Sequence, residues 1–246
     1  MKRIAFKQLI SVLAIALLFA GNIDAKKKKT TSGVPAGLTG DARECYIKAN
    51  KGDEKAQLLL AYFYQKGENA PRDLNKAIQW YKKAAEKGNV IAQFNLGDIY
   101  DSKKEFTTAA KWYEMAANQG DAASQLSLGN CFYNGEGKPQ DYGMAIYWFT
   151  KASQQGLAAA QRCMGICYDE GHGVPQDSEK AVEWYRKAAN QGDAVAQLNL
   201  GLSYYNGEGV DKNLDKAIEW IGKAASQGDK DAQKALKEIA EETGKH

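Results

Sequence analysis

One stretch of 36 residues recurs along most of the chain, and no other feature limits the fold as much. Gly192–Gln227 reads GDAVAQLNLGLSYYNGEGVDKNLDKAIEWIGKAASQ, and Gly156–Gln191 and Gly120–Gln155 match it column by column. Gly52–Lys87 matches more loosely, and Gly88–Gln119 is the same unit shortened by four residues. A fixed period of this size marks stacked units, each contacting only its neighbours.

The columns say what the unit is. All five tryptophans share one position: Trp80, Trp112, Trp148, Trp184 and Trp220. A glutamine stands five residues after each starting glycine, at Gln57, Gln93, Gln125, Gln161, Gln197 and Gln233. Leu-Gly recurs at Leu96-Gly97, Leu128-Gly129 and Leu200-Gly201, with Met164-Gly165 and Leu60-Ala61 as variants. Apolar residues three and four apart line one helix face. The small residue beside Leu lets a second helix approach closely. The unit is therefore helix A, turn, helix B, and Ala217, Trp220, Ile221 and Ala224 mark the packed side of one helix B. Trp148 and Trp184 are expected to be buried between units.

Paired glycines end helix A in YNGEGV (205–210), YNGEGK (133–138) and YDEGHGV (168–174). Glycine takes the left-handed conformation that a helix C-terminus needs. Asp73, Asp141, Asp177 and Asn213 can cap helix B, and Asp53, Asn89, Asp121, Asp193 and Asp229 can cap helix A. Pro71, Pro139 and Pro175 stop helix A from running on.

This combination of columns, A-Q-x-x-L-G-x-x-Y with a Gly-x-Gly turn and K-A-x-x-W-x-x-K-A-A, resembles the Sel1-like repeat family, relatives of the tetratricopeptide repeats. The likeness covers Gly52 to Gln233, with Gly88–Gln119 nearer to tetratricopeptide length. It implies an all-α, right-handed α/α superhelix that serves as a non-catalytic scaffold or adaptor in the bacterial envelope. The partner is then a protein or peptide, with no nucleic acid and no cofactor. The chain is expected to be a monomer.

The remaining segments follow in order. Met1–Ala25 reads as a secretory signal: Lys2, Arg3 and Lys7, then the apolar run Leu9–Ala20, then Ile23-Asp24-Ala25 as cleavage site. An uncleaved membrane anchor is the alternative, since the positive run Lys26–Lys29 hinders translocation of that flank. Lys26–Ala36 is a basic linker by composition, able to touch an anionic surface. Residues 37–246 form one solenoid domain. In it Asp41–Lys51 is a half-repeat with helix B character. The full units are 52–87, 88–119, 120–155, 156–191 and 192–227, and 228–246 is a polar cap. Export to the periplasm or envelope is expected. The formal charge of +3 falls to +1 without Met1–Ala25 and to −3 without Lys26–Lys29. That is no basic field for nucleic acid.

Catalytic patterns are missing. There is no Ser-x-x-Lys, Lys-Thr-Gly or Gly-x-Ser-x-Gly, and the only histidines are His172 and His246. Some cysteine-rich members of the resembled family carry a β-lactamase label, and a lactam hydrolase or a structural spacer are the alternative functions. Cys131 and Cys167 share a column in adjacent units, roughly 8–10 Å apart by helix spacing. A disulfide wants Cα atoms within about 7 Å. No full disulfide framework involving Cys45, Cys131, Cys163 and Cys167 is expected, with Cys131–Cys163 the least unfavourable pair. Cys163, Cys167 and His172, with Asp169 or Glu170, would make a metal site of four ligands, but His172 stands where other units carry Glu68, Glu136 and Glu208. An exposed turn residue is the simpler account, and no metal is expected.

The resemblance places the binding surface on helix A, the concave side. Matching its groove positions picks out Tyr62, Asp98, Asn130, Tyr133, Asn134, Arg162, Asp169, Tyr205 and Asn206. Arg162 replaces an apolar residue found at its column in every other full unit (Leu58, Phe94, Leu126, Leu198). Its guanidinium could pair with a partner carboxylate or, within the chain, with Asp169.

Overall fold

The computed structural model describes residues 33–244, which hold twelve α-helices joined by turns. The expected signal, most of the basic linker and His246 lie outside the described residues. The chain divides into two compact units, ending and beginning at Gln119 and Gly120. A single solenoid domain was the expectation; a stack in which repeats contact only their neighbours can divide at a repeat border.

The first unit contains α1 (Gly40–Asn50), α2 (Glu54–Lys66), α3 (Leu74–Ala85), α4 (Val90–Ser102) and α5 (Phe106–Asn118). Helix α1 is the half-repeat and packs on α2, while α2 pairs with α3 and α4 with α5. The second unit contains α6 (Ala122–Asn134), α7 (Tyr142–Gln154), α8 (Ala158–Glu170), α9 (Ser178–Asn190), α10 (Ala194–Asn206), α11 (Leu214–Ser226) and α12 (Lys230–Thr243). Here α6/α7, α8/α9 and α10/α11 are the helix A/helix B pairs, and α12 closes on α11. Each described unit is all-α and built by stacking pairs: an α-solenoid.

Side-chain caps start the helices. Asp53, Asn89, Asp121, Asp193 and Asp229 each accept from the backbone N–H three residues on. Asp73, Asp141, Asp177 and Asn213 do the same for helix B. Helix A ends where Gly135 (φ 72°) turns left-handed, and the Asp141 N–H then returns to the Phe132 carbonyl at 2.9 Å. The short repeat has no such glycine: Lys104 adopts φ 62°, and Glu105 at the start of α5 makes no side-chain cap. Helix α8 likewise starts from Leu157, which cannot cap.

The small column beside Leu sets the closeness of each pair. A Cβ at Gly129 would stand 2.6 Å from the Phe149 ring, and one at Gly165 2.5 Å from the Tyr185 ring. The tryptophan column is only partly as expected. Trp148 is buried, with 5% of its surface exposed, but Trp184 and Trp220 are half-buried. Trp184 does pack against a core cluster shared by its own repeat and the one before it, around Tyr133, Phe149 and Met164. Its outer face is covered by Lys187, whose Nζ lies 4.1 Å from the ring centroid, and Lys223 covers Trp220 at 3.9 Å.

Candidate functional site

One glutamine column ties each repeat to the one before it, and a second braces the repeat internally by bonding to the first. Gln197 Nε2 donates 3.1 Å to the Ala189 carbonyl of the preceding repeat, and Gln227 Nε2 donates 2.8 Å to Gln197 Oε1. Gln191 on Gln161 and Gln155 on Gln125 repeat the second bond. In the first unit, Gln93 and Gln119 reproduce both. The second column, the last residue of the repeat, is glutamine in repeats two to five and Lys87 in the first, and its role was not legible in the sequence. These bonds fix the spacing of helices A, whose outward side carries the predicted site residues.

Tyrosine hydroxyls on that side follow a rule of exchange. Where helix B carries Tyr against the small residue, helix A supplies an acceptor. Tyr81 donates to Gln65 at 2.8 Å, Tyr113 to Asp98 at 2.7 Å and Tyr185 to Asp169 at 3.2 Å. Where helix B carries Phe149 or Ile221, helix A carries the tyrosine instead, and its hydroxyl reaches the next repeat. Tyr133 donates to Glu170 Oε2 at 2.5 Å, and Tyr205 donates to Glu242.

The nine predicted residues therefore divide by environment. In the first unit, Tyr62 is half-buried, packs edge-on to Phe63 and has its hydroxyl pushed up by burial and then by Glu68. Asp98 is held by Tyr113. In the second unit, Tyr133 is buried among Tyr142, Phe149 and His172, its hydroxyl made less acidic by burial and by Glu170. Asn130, Asn134 and Asn206 are exposed and make no side-chain hydrogen bond among the described residues. Tyr205 is half-buried beneath Lys212, whose Nζ is 5.4 Å from the ring centroid.

Arg162 has an internal partner, and it is Asp193 rather than Asp169. Its Nε lies 3.0 and 3.1 Å from the two Asp193 oxygens, and the side chains are 14% and 4% exposed. Asp193 is at the same time the cap of α10. Its carboxylate is the most enclosed of the helix A caps, so a cation from the repeat before compensates it. The expected alternative, Asp169, is instead held by Tyr185. Burial pushes its carboxyl up; Tyr185 opposes this, while Glu208 and Glu170 add to it.

His172 joins the 3/4 repeat junction. Its ring stacks on Tyr142 at 4.3 Å with an interplanar angle of 2°, and Nδ1 lies 2.9 Å from the Tyr133 hydroxyl and 3.0 Å from Glu170 Oε2. No sequence signal assigned Glu170 and His172 to this junction, because the bond depends on Phe149 standing where other repeats carry a tyrosine, one repeat earlier. The four cysteines are free thiols. Burial pushes Cys167 up to about 12 and raises Cys163 against the opposing Arg162 charge. Protonated thiols are poor metal ligands and poor nucleophiles. Among the described residues no three His, Cys, Asp or Glu side chains stand together as a metal site, and no helix is long and apolar enough to cross a membrane.

Comparison with known proteins agrees with the repeat geometry. The Sel1 repeat family model matches residues 54–89, 90–121, 122–157, 158–193 and 194–229. A Sel1 repeat protein from Oxalobacter formigenes is 33% identical with a TM-score of 0.73, over 80% of this chain and 86% of that one. A protective antigen of uropathogenic Escherichia coli with an SLR fold is 35% identical with a TM-score of 0.76. It is matched over 82% of this chain, which spans 45% of the antigen. The chitin synthase regulator SKT5 of Malassezia restricta is 35% identical over 71 residues, 27% of this chain and 5% of the regulator. With five consecutive repeats matched and the helix pairs stacked as the family stacks them, the chain belongs to the Sel1 repeat family.

Proposed function

We propose that the protein is a non-catalytic interaction module that docks a protein or peptide partner on its helix A surface and works in the cell envelope. Sel1-like repeats generally mediate protein–protein interaction, and that supports the general reading. The observation that carries the finer one is the contrast on helix A. Most polar groups there are engaged within the stack, whereas Asn130, Asn134 and Asn206 are exposed, their amides without a partner among the described residues. A carboxamide both donates and accepts, so it matches a backbone amide of an extended segment. Tyr62 and Asp98 in the first unit, and Tyr133, Arg162, Asp169 and Tyr205 in the second, belong to the proposed surface mainly as supports that hold helices A in place. The catalytic alternative gains no support from the geometry: His172 faces Glu170 and the Tyr133 hydroxyl, which donates to Glu170 and is made less acidic by burial, and among the described residues no Ser or Cys is hydrogen-bonded to His172.

The test is capture of partners from envelope extracts by mature protein. Changing Asn130, Asn134 and Asn206 together to Ala should weaken capture at least tenfold, about 1.4 kcal/mol, with an unchanged melting temperature. Undiminished capture refutes the assignment of this surface.

A further inference from the structure

Helix B has a side that its helix A does not cover. Counted back from the glycine that opens the next repeat, the residues one, five, nine and twelve places before it share one helix face. The columns buried against helix A, such as Ala77, Tyr81 and Ala84, lie on the opposite side. In α1, α3 and α5 the four columns hold six cations, Arg43, Lys51, Lys76, Lys83, Lys87 and Lys111, and no carboxylate. All of them but Arg43 are exposed. Tyr46 meets Trp80 edge-on at 6.1 Å, and Lys87 Nζ reaches the Gly52 carbonyl at 3.0 Å, so α1 and α3 stand side by side in this register. At the margin, Glu44 is paired with Lys48 at 2.6 Å and Asp73 with Lys76 at 3.4 Å, while Glu86 beside Lys87 is exposed. Over residues 33–119, thirteen Lys and Arg outnumber eleven Asp and Glu; over residues 120–246, thirteen stand against eighteen. In that second unit the same columns of α9 and α11 carry Glu183 and Glu219.

Exposed apolar surface collects in the same columns. Among the described residues the exposed large apolar side chains are Ile47, Met115 and Tyr147, at 38%, 45% and 47%. One such residue is ordinary; all three falling in one set of columns is a pattern. Ile47 and Met115 belong to the first unit, where they stand at the column that holds Lys83 in α3. Lys26–Lys29 precedes the same unit, eleven residues before α1.

We propose that this face of α1, α3 and α5 seats the first unit on an anionic lipid surface. The six cations meet the phosphate headgroups, and Ile47 and Met115 enter the boundary between headgroups and acyl chains. Lys26–Lys29 adds a second basic contact. Charge alone would suit an acidic polymer equally. The apolar pair favours the bilayer, whose interface takes up cations and apolar side chains together. The seat uses helix B and leaves helix A open, so it does not depend on the helix A reading above.

The experiment is sedimentation of the chain from Lys26 onward with vesicles, either of phosphatidylcholine alone or of phosphatidylcholine and phosphatidylglycerol in equal parts, at low salt. Four variants are compared with the parent: Lys51→Gln with Lys83→Gln and Lys111→Gln; Ile47→Ser with Met115→Ser; Lys26–Lys29 all changed to Gln; and the second-unit control Lys187→Gln with Lys223→Gln. The proposal expects binding to the anionic vesicles alone. The three-lysine variant should weaken it at least tenfold and the apolar variant several-fold, and the control should leave it unchanged. Binding kept by the three-lysine variant and lost by the tail variant places the contact in Lys26–Lys29 and overturns the proposal. Equal losses in the three-lysine variant and the control mean unspecific charge attraction and also overturn it. An apolar variant that binds like the parent means an acidic-polymer contact and overturns the lipid assignment. The changed side chains of the helices are exposed, so a melt matching the parent protein separates lost binding from lost folding. The same three lysines changed to Arg should bind like the parent; a tenfold loss there means that charge is not what the vesicle reads, and overturns the proposal.

Discussion

Gln57 Oε1 is buried with no hydrogen-bond partner among the described residues, and the cause lies thirty residues on. In repeats two to five the last residue is a glutamine whose amide fills that oxygen; in the first repeat it is Lys87, whose Nζ reaches the Gly52 carbonyl at 3.0 Å instead. Gln155 shows that a glutamine can serve both acceptors, at 2.9 Å to Gly120 O and 2.8 Å to Gln125 Oε1. Lys87→Gln should therefore stabilise the protein by about 1 kcal/mol in urea melts. No gain would show that the Gln57 oxygen is satisfied in solution by water. Arg162 gives the opposite case. Replacing it by Leu restores the apolar column but strands the Asp193 carboxylate, 4% exposed. The expected loss is about 3 kcal/mol, recovered in large part when Asp193→Asn, still a cap, is added. A neutral Arg162→Leu would mean that the pair is not formed in solution. The column departure at Arg162 was visible in the sequence. Its partner was not, because Asp193 already had a sufficient role as a cap.

At the scale of the element, caps and turns were legible, since each depends on residues within one turn of helix. The residues Asp73, Asp141, Asp177 and Asn213, and the five helix A caps, all act as their positions suggested. Burial depth was less legible. Trp148 and Trp184 share a column, yet Trp148 is buried and Trp184 half-buried, a difference that the shared column does not encode. Trp148→Ala should cost about 3–5 kcal/mol and Trp184→Ala distinctly less. Equal costs in denaturant melts would contradict the difference in burial. The short repeat offers a second check. Its turn places Lys104 at φ 62°, a conformation glycine adopts without strain. Lys104→Gly should raise stability by about 0.5–1 kcal/mol, whereas a loss would indicate that this turn is not left-handed.

For the whole molecule, the period alone carried the fold: five repeats, each helix A against its helix B, with pairs stacked on one another within each of the two units. The division at Gln119 and Gly120 was not legible, because the repeats on both sides of it keep the family pattern. The tyrosine exchange was also hidden. It appears only when a helix B residue such as Phe149 is set beside the helix A residue it faces, Tyr133, and the acceptor lies 37 residues away in the next repeat. Export is proposed from Met1–Ala25, and N-terminal sequencing of material from the native host should find mature protein beginning near Lys26; an intact Met1 in the membrane fraction would favour the anchor. The central claim is that partners dock on helix A. Photo-crosslinking tests it most directly, with a benzophenone amino acid placed at Asn134 or Asn206 and, separately, at Glu183 or Glu219 on helix B. The account predicts discrete crosslinked partners from the two helix A positions and none from helix B. Crosslinks from the helix B positions alone would contradict it.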